Sequence, residues 1–308
     1  MNISLCTLFE GNYHYGVAAL ANSLVASGYQ GELWVGYRGP LPRWVLDAPG
    51  FDPQVGHFQA SPSLVLRFVV LDTPLHFTYY KPTFIADLLA QNPQLDTVAY
   101  IDPDIVVKCD WPALAGWFLD GGVALCEDVN FRFPARHPKR LLWREHFAPH
   151  GFVERRPLDR YFNAGFIGIP RSSIGFLDLW RRVCEVVVAY NGPKLIKVGG
   201  GAALFNSTDQ DAMNFALTAC DDKLNTVGAD GMDFMPGGYY LSHAIGPAKP
   251  WHGGHIRRAL RGFPPSLPAK AYFAYANHPI RVFSDNELAR RKLTMQIAGA
   301  IGRVYRRT

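Results

Sequence analysis

A chain of 308 residues, 48% hydrophobic and 13% aromatic, carries enough apolar material for one large domain or two tightly joined ones, which excludes a disordered protein. Its 31 basic residues against 26 acidic ones leave a formal charge of +5, too dilute over this length for a nucleic-acid binder, where denser basic clustering is expected. No apolar run approaches the roughly 18–20 residues that cross a bilayer as a helix.

Residues 3–8 read as a short buried strand, and the spacing of Val17, Leu20, Ala21, Leu24 and Val25 predicts a helix ending near Gly28. Residues 32–37 follow as a second strand. Strand, helix and strand in so short a stretch predict a parallel α/β sheet. The pattern recurs: Phe84, Ile85, Leu88 and Leu89 predict a helix, Asn92-Pro93 stops it, and residues 97–101 form a strand that ends at Asp102. Further strands are expected at 122–126 and 165–169. Phe176, Leu177, Trp180, Val183, Cys184, Val187 and Val188 make the stripe of an amphipathic helix. Ser207 or Thr208 can cap a helix running from about 211 to 219, with acids in its first turn. GFPPSLP at 262–268 is a Pro-rich break that sets off a C-terminal segment.

The first constellation with chemical content is Asp102-Pro103-Asp104. An extended backbone sends side chains two apart to the same side, so the two carboxylates converge while Pro103 fixes its own φ. Two hard oxygen ligands suit Mg²⁺ or Mn²⁺, whose remaining positions are commonly filled by phosphate oxygens and water. Asp and Pro are also ordinary turn residues, and DPD taken alone reads first as an acidic turn. Its place between TVAYI and IVV puts it at the strand end where open α/β sheets bind ligands.

The second constellation is HAIGPAKPW at 243–251. His243 is an acceptable Mn²⁺ ligand, Gly246 lets a phosphate approach the main chain, and Lys249 offers it a point charge. The alternative for each residue by itself is a solvated loop. His252 and His255 follow closely, but a zinc site with His243 would lack any nearby Cys, and the loop's Gly and Pro residues already explain the composition.

AYIDPDIVV, YFNAGFIGI, DQDAMNFAL and HAIGPAKPW resemble, in order and spacing, the signature segments of glycosyltransferase family 8, over about residues 1–255. Bacterial lipooligosaccharide galactosyltransferases are the similar branch, and glycogenin is a more distant one. The resemblance implies an α/β fold of GT-A type, with a Rossmann-like, mixed, mostly parallel sheet flanked by helices and a short C-terminal helical appendage. It implies a UDP-sugar donor, Mn²⁺ with Mg²⁺ as its substitute, and transfer of a hexose with retention to a glycan or lipid-linked glycan. It assigns the metal to Asp102, Asp104 and His243, and the diphosphate to Gly246 and Lys249. Asn12 and Tyr13 match the pair beside the uridine, Lys81 a basic donor contact, and Asn163, Asp209 and Gln210 the residues around the transferred sugar. Glu10 stands where the family often has Asp, which puts that base contact in doubt. Without the resemblance, Asn12 and Tyr13 would be helix-start residues, Lys81 a surface charge and Asp209 a helix cap.

Gln210 is a poor nucleophile, because an amide lacks the carboxylate that retaining glycosidases use. A front-face route, in which the leaving group departs and the acceptor attacks on one side, needs no enzyme nucleophile. A catalytically inactive domain that binds nucleotide sugar as a scaffold is the rival reading, against which stands the full set of metal and diphosphate residues. A metal-dependent phosphohydrolase would want more carboxylates or histidines around DPD.

The expected layout is a glycosyltransferase domain at 1–261, its donor site drawn from 1–110 and 200–255 and its acceptor region from about 130–160, followed by an appendage at 262–308. Arg132, Arg136, Lys139, Arg140, Arg144, Arg155, Arg156 and Arg160 give the acceptor region a basic excess, either a solvated face or a reader of an anionic acceptor. The tail from Asn286 combines Leu288, Leu293, Met295, Ile297, Ile301 and Val304 with Arg290, Arg291, Lys292, Arg303, Arg306 and Arg307. Such a helix lies on an anionic membrane surface or packs on its own domain. Cys6, Cys109, Cys126, Cys184 and Cys220 are odd in number with no CxxC pair, and read as buried free thiols. The N-terminal residues lack the basic and apolar regions of an export signal, so a cytoplasmic location, with peripheral contact to the inner membrane face, is the expectation.

Overall fold

A computed structural model describes residues 1–194, 204–235 and 237–304; Arg306 and Arg307 of the basic tail lie outside them. The elements begin with β1 (Ile3–Glu10), α1 (His14–Ala26), β2 (Gly31–Arg38), α2 (Arg43–Leu46), β3 (Phe51–Asp52), β4 (His57–Ser61) and β5 (Leu64–Val70). Next come α3 (Phe77–Gln91), β6 (Thr97–Ile101), β7 (Ile105–Val107), α4 (Trp111–Leu119), β8 (Val123–Glu127), α5 (Pro138–Phe147) and β9 (Phe162–Pro170). The chain continues through α6 (Ile174–Asn191), α7 (Thr208–Ala219), β10 (Leu224–Val227), β11 (Leu241–His243), α8 (His255–Ala259), α9 (Leu267–Ala274) and α10 (Asp285–Val304). Among the described residues, nine strands form a mixed sheet in the order β10-β8-β9-β6-β1-β2-β5-β4-β3, while β7 and β11 make a separate two-stranded ribbon. This is the α/β fold, flanked by helices, that the sequence predicts.

The chain divides into two compact units. The first comprises residues 1–8, 71–101 and 114–229. Here β1 and β6 pair in parallel, as do β8 and β10, while β9 runs antiparallel to both β6 and β8. All nine residues of β9 are buried, so it reads as a continuous apolar run with Asn163 as its polar exception. The predicted stripe of α6 is buried at Phe176, Leu177, Trp180, Val183, Cys184 and Val187, with Val188 only partly so, and packs on α3 and α7. Every residue of α7 is buried, including Asp209, Gln210, Asp211 and Asn214, so each polar group must find a partner inside the fold.

The second unit comprises residues 9–70, 102–113 and 230–308. β2 and β5 pair in parallel, and β4 joins β5 and β3 antiparallel. In α1 a run of apolar and small residues is buried from Gly16 to Leu24, as suits a helix covered on most sides. It carries Ala19 into a core with Val106, Trp251, Tyr272, Phe273, Ala276 and Phe283. Asn22, fully buried in α1, donates to Tyr275 O and Ile280 O and accepts from Ile280 N, which pins the segment after α9.

The C-terminal segment therefore shares a core with α1. α10 packs on α8, its Leu288 and Met295 lie against the core, and Leu293 and Ile297 are exposed. Packing on its own unit was one of the two arrangements the tail's pattern allowed. No helix among the described residues is long and apolar enough to cross a membrane. All five cysteines are free thiols, four buried and Cys109 partly so.

Candidate active site

The metal-type cluster is assembled within the second unit. Directly after β6, the turn at Asp102 is closed by Ile105 N donating to Asp102 O at 3.0 Å, and the chain continues into β7. β11 pairs antiparallel with β7 and sets His243 opposite Ile105, while Ala244 N donates to Asp104 O at 2.9 Å. Two residues far apart in sequence are thereby brought together by three rungs of backbone pairing. The His243 Nε2 atom lies 3.2 Å from an Asp104 oxygen and 4.0 Å from an Asp102 oxygen, and one ligand atom from each of the three falls within 4.8 Å of the others.

Two carboxylates and an imidazole are a donor set that Mn²⁺ accepts and Mg²⁺ tolerates. The buried Nδ1 of His243 has no hydrogen-bond partner among the described residues, so polar capacity remains on this ring. The three residues thus fit a divalent cation, as their spacing in the sequence suggested. His252 is exposed and His255 is not part of the cluster, so the described residues give the zinc alternative no support.

Lys249 completes the surroundings. Its buried ammonium donates to Asp104 Oδ2 and to Ala244 O, the latter at 2.8 Å, and stands 5.7 Å from the centre of the Tyr13 ring. Burial alone would raise the Asp104 carboxyl, but His243 and Lys249 outweigh it and hold that group below the usual carboxylate range. Gly246 stands at φ +87° on an exposed loop, a conformation that admits glycine readily. Asn12 and Tyr13 are exposed in a short 3-10 turn before α1, and Tyr13 packs edge-on against Trp251 at 5.5 Å. Burial, then Asp104 and Asp102, push the Tyr13 hydroxyl pKa up, which keeps it neutral. Glu10 is held by Arg38 at 2.7 Å.

Gly16 was not singled out by its sequence context, yet it sets how closely α1 approaches the turn. A Cβ there would stand 2.0 Å from Pro103 O and 3.0 Å from the Trp251 ring.

The second cluster is built within the first unit, and its centre is a residue that sequence reading missed. Asp128, just beyond the end of β8, accepts through Oδ2 from Asn163 Nδ2 at 2.9 Å and from Gln210 Nε2 at 3.0 Å. Its other oxygen takes Asn130 N and Nδ2, both at 2.7 Å. Gln210 Oε1 accepts from Ala164 N at 3.1 Å, and Asn163 Oδ1 from Gly165 N at 2.8 Å. A signal was present in the sequence: an acid at the C-terminal end of a predicted strand, the same position that drew attention to Asp102.

Beneath this layer, Asp211 accepts from Tyr161 OH and from Asn206 N at 2.6 Å and Ser207 N at 3.1 Å, tying down the start of α7. Burial pushes its carboxyl up to about 6. Ser207 occupies the predicted cap position, but its hydroxyl donates to Asp209 Oδ1 at 3.2 Å. Lys81 is no surface charge: it is 1% exposed, donates to Ala164 O at 2.8 Å and stands over the Tyr100 ring.

Much of the basic excess at 130–160 is engaged internally. Arg140 is buried and donates to Phe133 O and Arg160 O, Arg156 to Cys220 O and Asp222 O, while Arg144 and Arg155 pair with Glu154 and Asp221. Lys139 is buried as well, and Arg132 and Arg136 are exposed.

No family model matches the chain, and no curated protein matches it in sequence. Among solved structures it resembles the apo form of WbbM, a bifunctional glycosyltransferase, at 19% identity over 94% of this chain with a TM-score of 0.56; the chain spans about half of that protein, 51%. It also resembles an active-site mutant of LgtC at 18% identity, over 92% of this chain and 98% of LgtC, with a TM-score of 0.53. LgtC described as a galactosyltransferase in complex with donor and acceptor sugar analogs matches at 18% identity over 94% and 99% of the two chains, with a TM-score of 0.51. At these identities the likeness establishes the fold, and the chain has the mixed α/β fold, of GT-A type, of these glycosyltransferases.

Proposed function

We propose that this protein is a metal-dependent, retaining glycosyltransferase of family 8 type that moves a hexose, galactose or glucose, from a UDP-sugar to a hydroxyl of a glycan or lipid-linked glycan. The observation that carries the reading is the convergence of Asp102, Asp104 and His243 within 4.8 Å, with the Lys249 ammonium on the same Asp104 carboxylate. A cation and an ammonium gathered on one carboxylate suit a diphosphate, and the fold shared with LgtC and WbbM supports the same assignment.

Asp102, Asp104 and His243 would hold Mn²⁺, or Mg²⁺ in its place. Bound there, the ion would neutralise the diphosphate and ease its departure. Lys249 adds a second positive charge to the leaving group, and Gly246 offers it an open main chain. Asn12 and Tyr13 take the uracil, Tyr13 through its ring face.

Asn163, Asp209 and Gln210 are the sugar's residues in this reading, with Asp128 as the acceptor that orients both amides. Lys81 acts by fixing Ala164, whose N–H holds Gln210. Because Gln210 Oε1 already accepts from Ala164 N, its arrangement suits positioning rather than nucleophilic attack. The acceptor hydroxyl then attacks the anomeric carbon on the face that UDP leaves. One C–O bond forms as the other breaks, and the hydroxyl proton passes to a diphosphate oxygen. Positioning and electrostatic stabilisation carry the acceleration.

Release of UDP from a UDP-sugar panel, with Mn²⁺ and with or without glycan acceptors, tests the proposal. Release that requires acceptor is expected with one donor preferred. No release with any donor favours a nucleotide-sugar-binding scaffold. Arg136→Glu is expected to raise the acceptor KM and spare the donor KM in the same assay, if the exposed Arg132 and Arg136 read an anionic acceptor; an unchanged acceptor KM removes that part of the reading.

A further inference from the structure

A cavity of about 130 Å³ lies behind the loop at 244–250, within the second unit. One wall is the loop itself, through residues such as Ala248; the other is formed by His255, Arg258, Phe263, Ser266 and Ala269. The same loop bears Gly246 and Lys249, but neither lines this space. A single water needs only about 10–15 Å³ counted in this way, so a group larger than water fits.

The polar groups that face the cavity share one character. His255 is 3% exposed, and its Nε2 has no hydrogen-bond partner among the described residues. A buried ring nitrogen left unsatisfied is destabilising unless something in the cavity pairs with it. Arg258 reaches Ala248 O at 3.4 Å, a weak contact that uses one of five guanidinium donors. Ser266 lines the same space and caps α9, accepting from Ala269 N at 3.3 Å, and its hydroxyl hydrogen can turn towards the cavity. None of the described residues lining the cavity is acidic. Burial holds the His255 imidazole below its ordinary value, and the positive charges of Arg258 and Arg291 lower it further.

Positive potential, an unpaired buried nitrogen and enclosed space without a carboxylate select against a metal cation and in favour of an anion. We propose that the cavity is a binding site for a small tetrahedral oxyanion of the phosphate class, held by His255 Nε2, the Arg258 guanidinium and the Ser266 hydroxyl. Nothing in the donor reading requires this site. Its occupant would brace the 244–250 loop through Ala248 and Pro250, which line the cavity.

Histidine-ring NMR of the full chain, with EDTA present and ionic strength held constant, tests the site. Inorganic phosphate is the probe, chloride the control, and the His255 signals are assigned by their loss in His255→Gln. The expected result is a saturable shift of the His255 ring with phosphate and none with chloride. Arg258→Gln, a change at a half-exposed side chain, should weaken that binding about tenfold or more, consistent with the loss of a charge-assisted hydrogen bond. Lys249→Gln should leave it in place. A sugar phosphate and a short-chain phosphatidic acid, run as separate arms, distinguish a free or sugar-borne phosphate from a lipid headgroup. An unmoved His255 ring, an equal response to chloride, or binding lost in Lys249→Gln but kept in Arg258→Gln would overturn the proposal.

Discussion

Asp104→Ala is expected to lower metal-supported donor binding about 100-fold or more and to destabilise the protein by about 3–5 kcal/mol. The first figure takes the upper range seen when residues merely supporting a ligand are lost, since Asp104 is placed as a ligand itself. The second follows from what is left behind. Lys249 would keep only Ala244 O, and a buried ammonium stripped of its counter-charge is costly. Chemical denaturation checks the stability and nucleotide titration the binding. The double variant Asp104→Ala, Lys249→Met separates them: it should regain most of the stability and none of the donor binding. Recovery of binding in the double variant would mean that neither Asp104 nor Lys249 serves the donor.

The second large effect is expected at Gly16. A methyl group at this position meets a backbone oxygen of the Asp102-Pro103-Asp104 turn at 2.0 Å, far inside van der Waals contact. The obstacle is not the end of a flexible side chain, so either α1 or the turn must move. Overpacking of this kind costs about 1–3 kcal/mol. The movement would also carry the two carboxylates away from His243, which β11 holds in register with β7. Gly16→Ala should therefore lose metal affinity as well as stability, although residue 16 offers the metal no ligand. Calorimetric titration with Mn²⁺ at a temperature where the variant remains folded reads the effect. Unchanged affinity would show that the turn tolerates the displacement.

Gly16 also marks what the sequence leaves illegible. The carboxylates two apart, the strand that delivers them and the helices α1, α3 and α6 all follow from local periodicity, and residues 97–101 match β6. His243 was found by the residue types around it, and the β7–β11 ribbon then explains how it reaches Asp104. Asp128 was missed because its partners, Asn163 and Gln210, are 35 and 82 residues away and nothing local marks the connection. Lys81 was open to reading as a surface charge because a lysine's pattern says nothing about the carbonyl and ring that bury it. The strands β3, β4 and β5 were unassigned, since His57–Ser61 is short and mixed in polarity and draws its strand character from pairing with β5. The basic stretch at 130–160 was legible as charge, but its internal use depends on contacts such as that of Arg156 with Cys220 O.

The central claim is that His243 and the two aspartates form one cation site that serves a diphosphate. Titration of Mn²⁺ into the protein with UDP present, compared among wild type, His243→Ala and Gln210→Ala, tests it most directly. The account predicts a clear loss of metal-dependent UDP binding in His243→Ala and near-normal binding in Gln210→Ala. Wild-type affinity in His243→Ala would contradict the three-ligand site and leave Asp102 and Asp104 as an acidic turn.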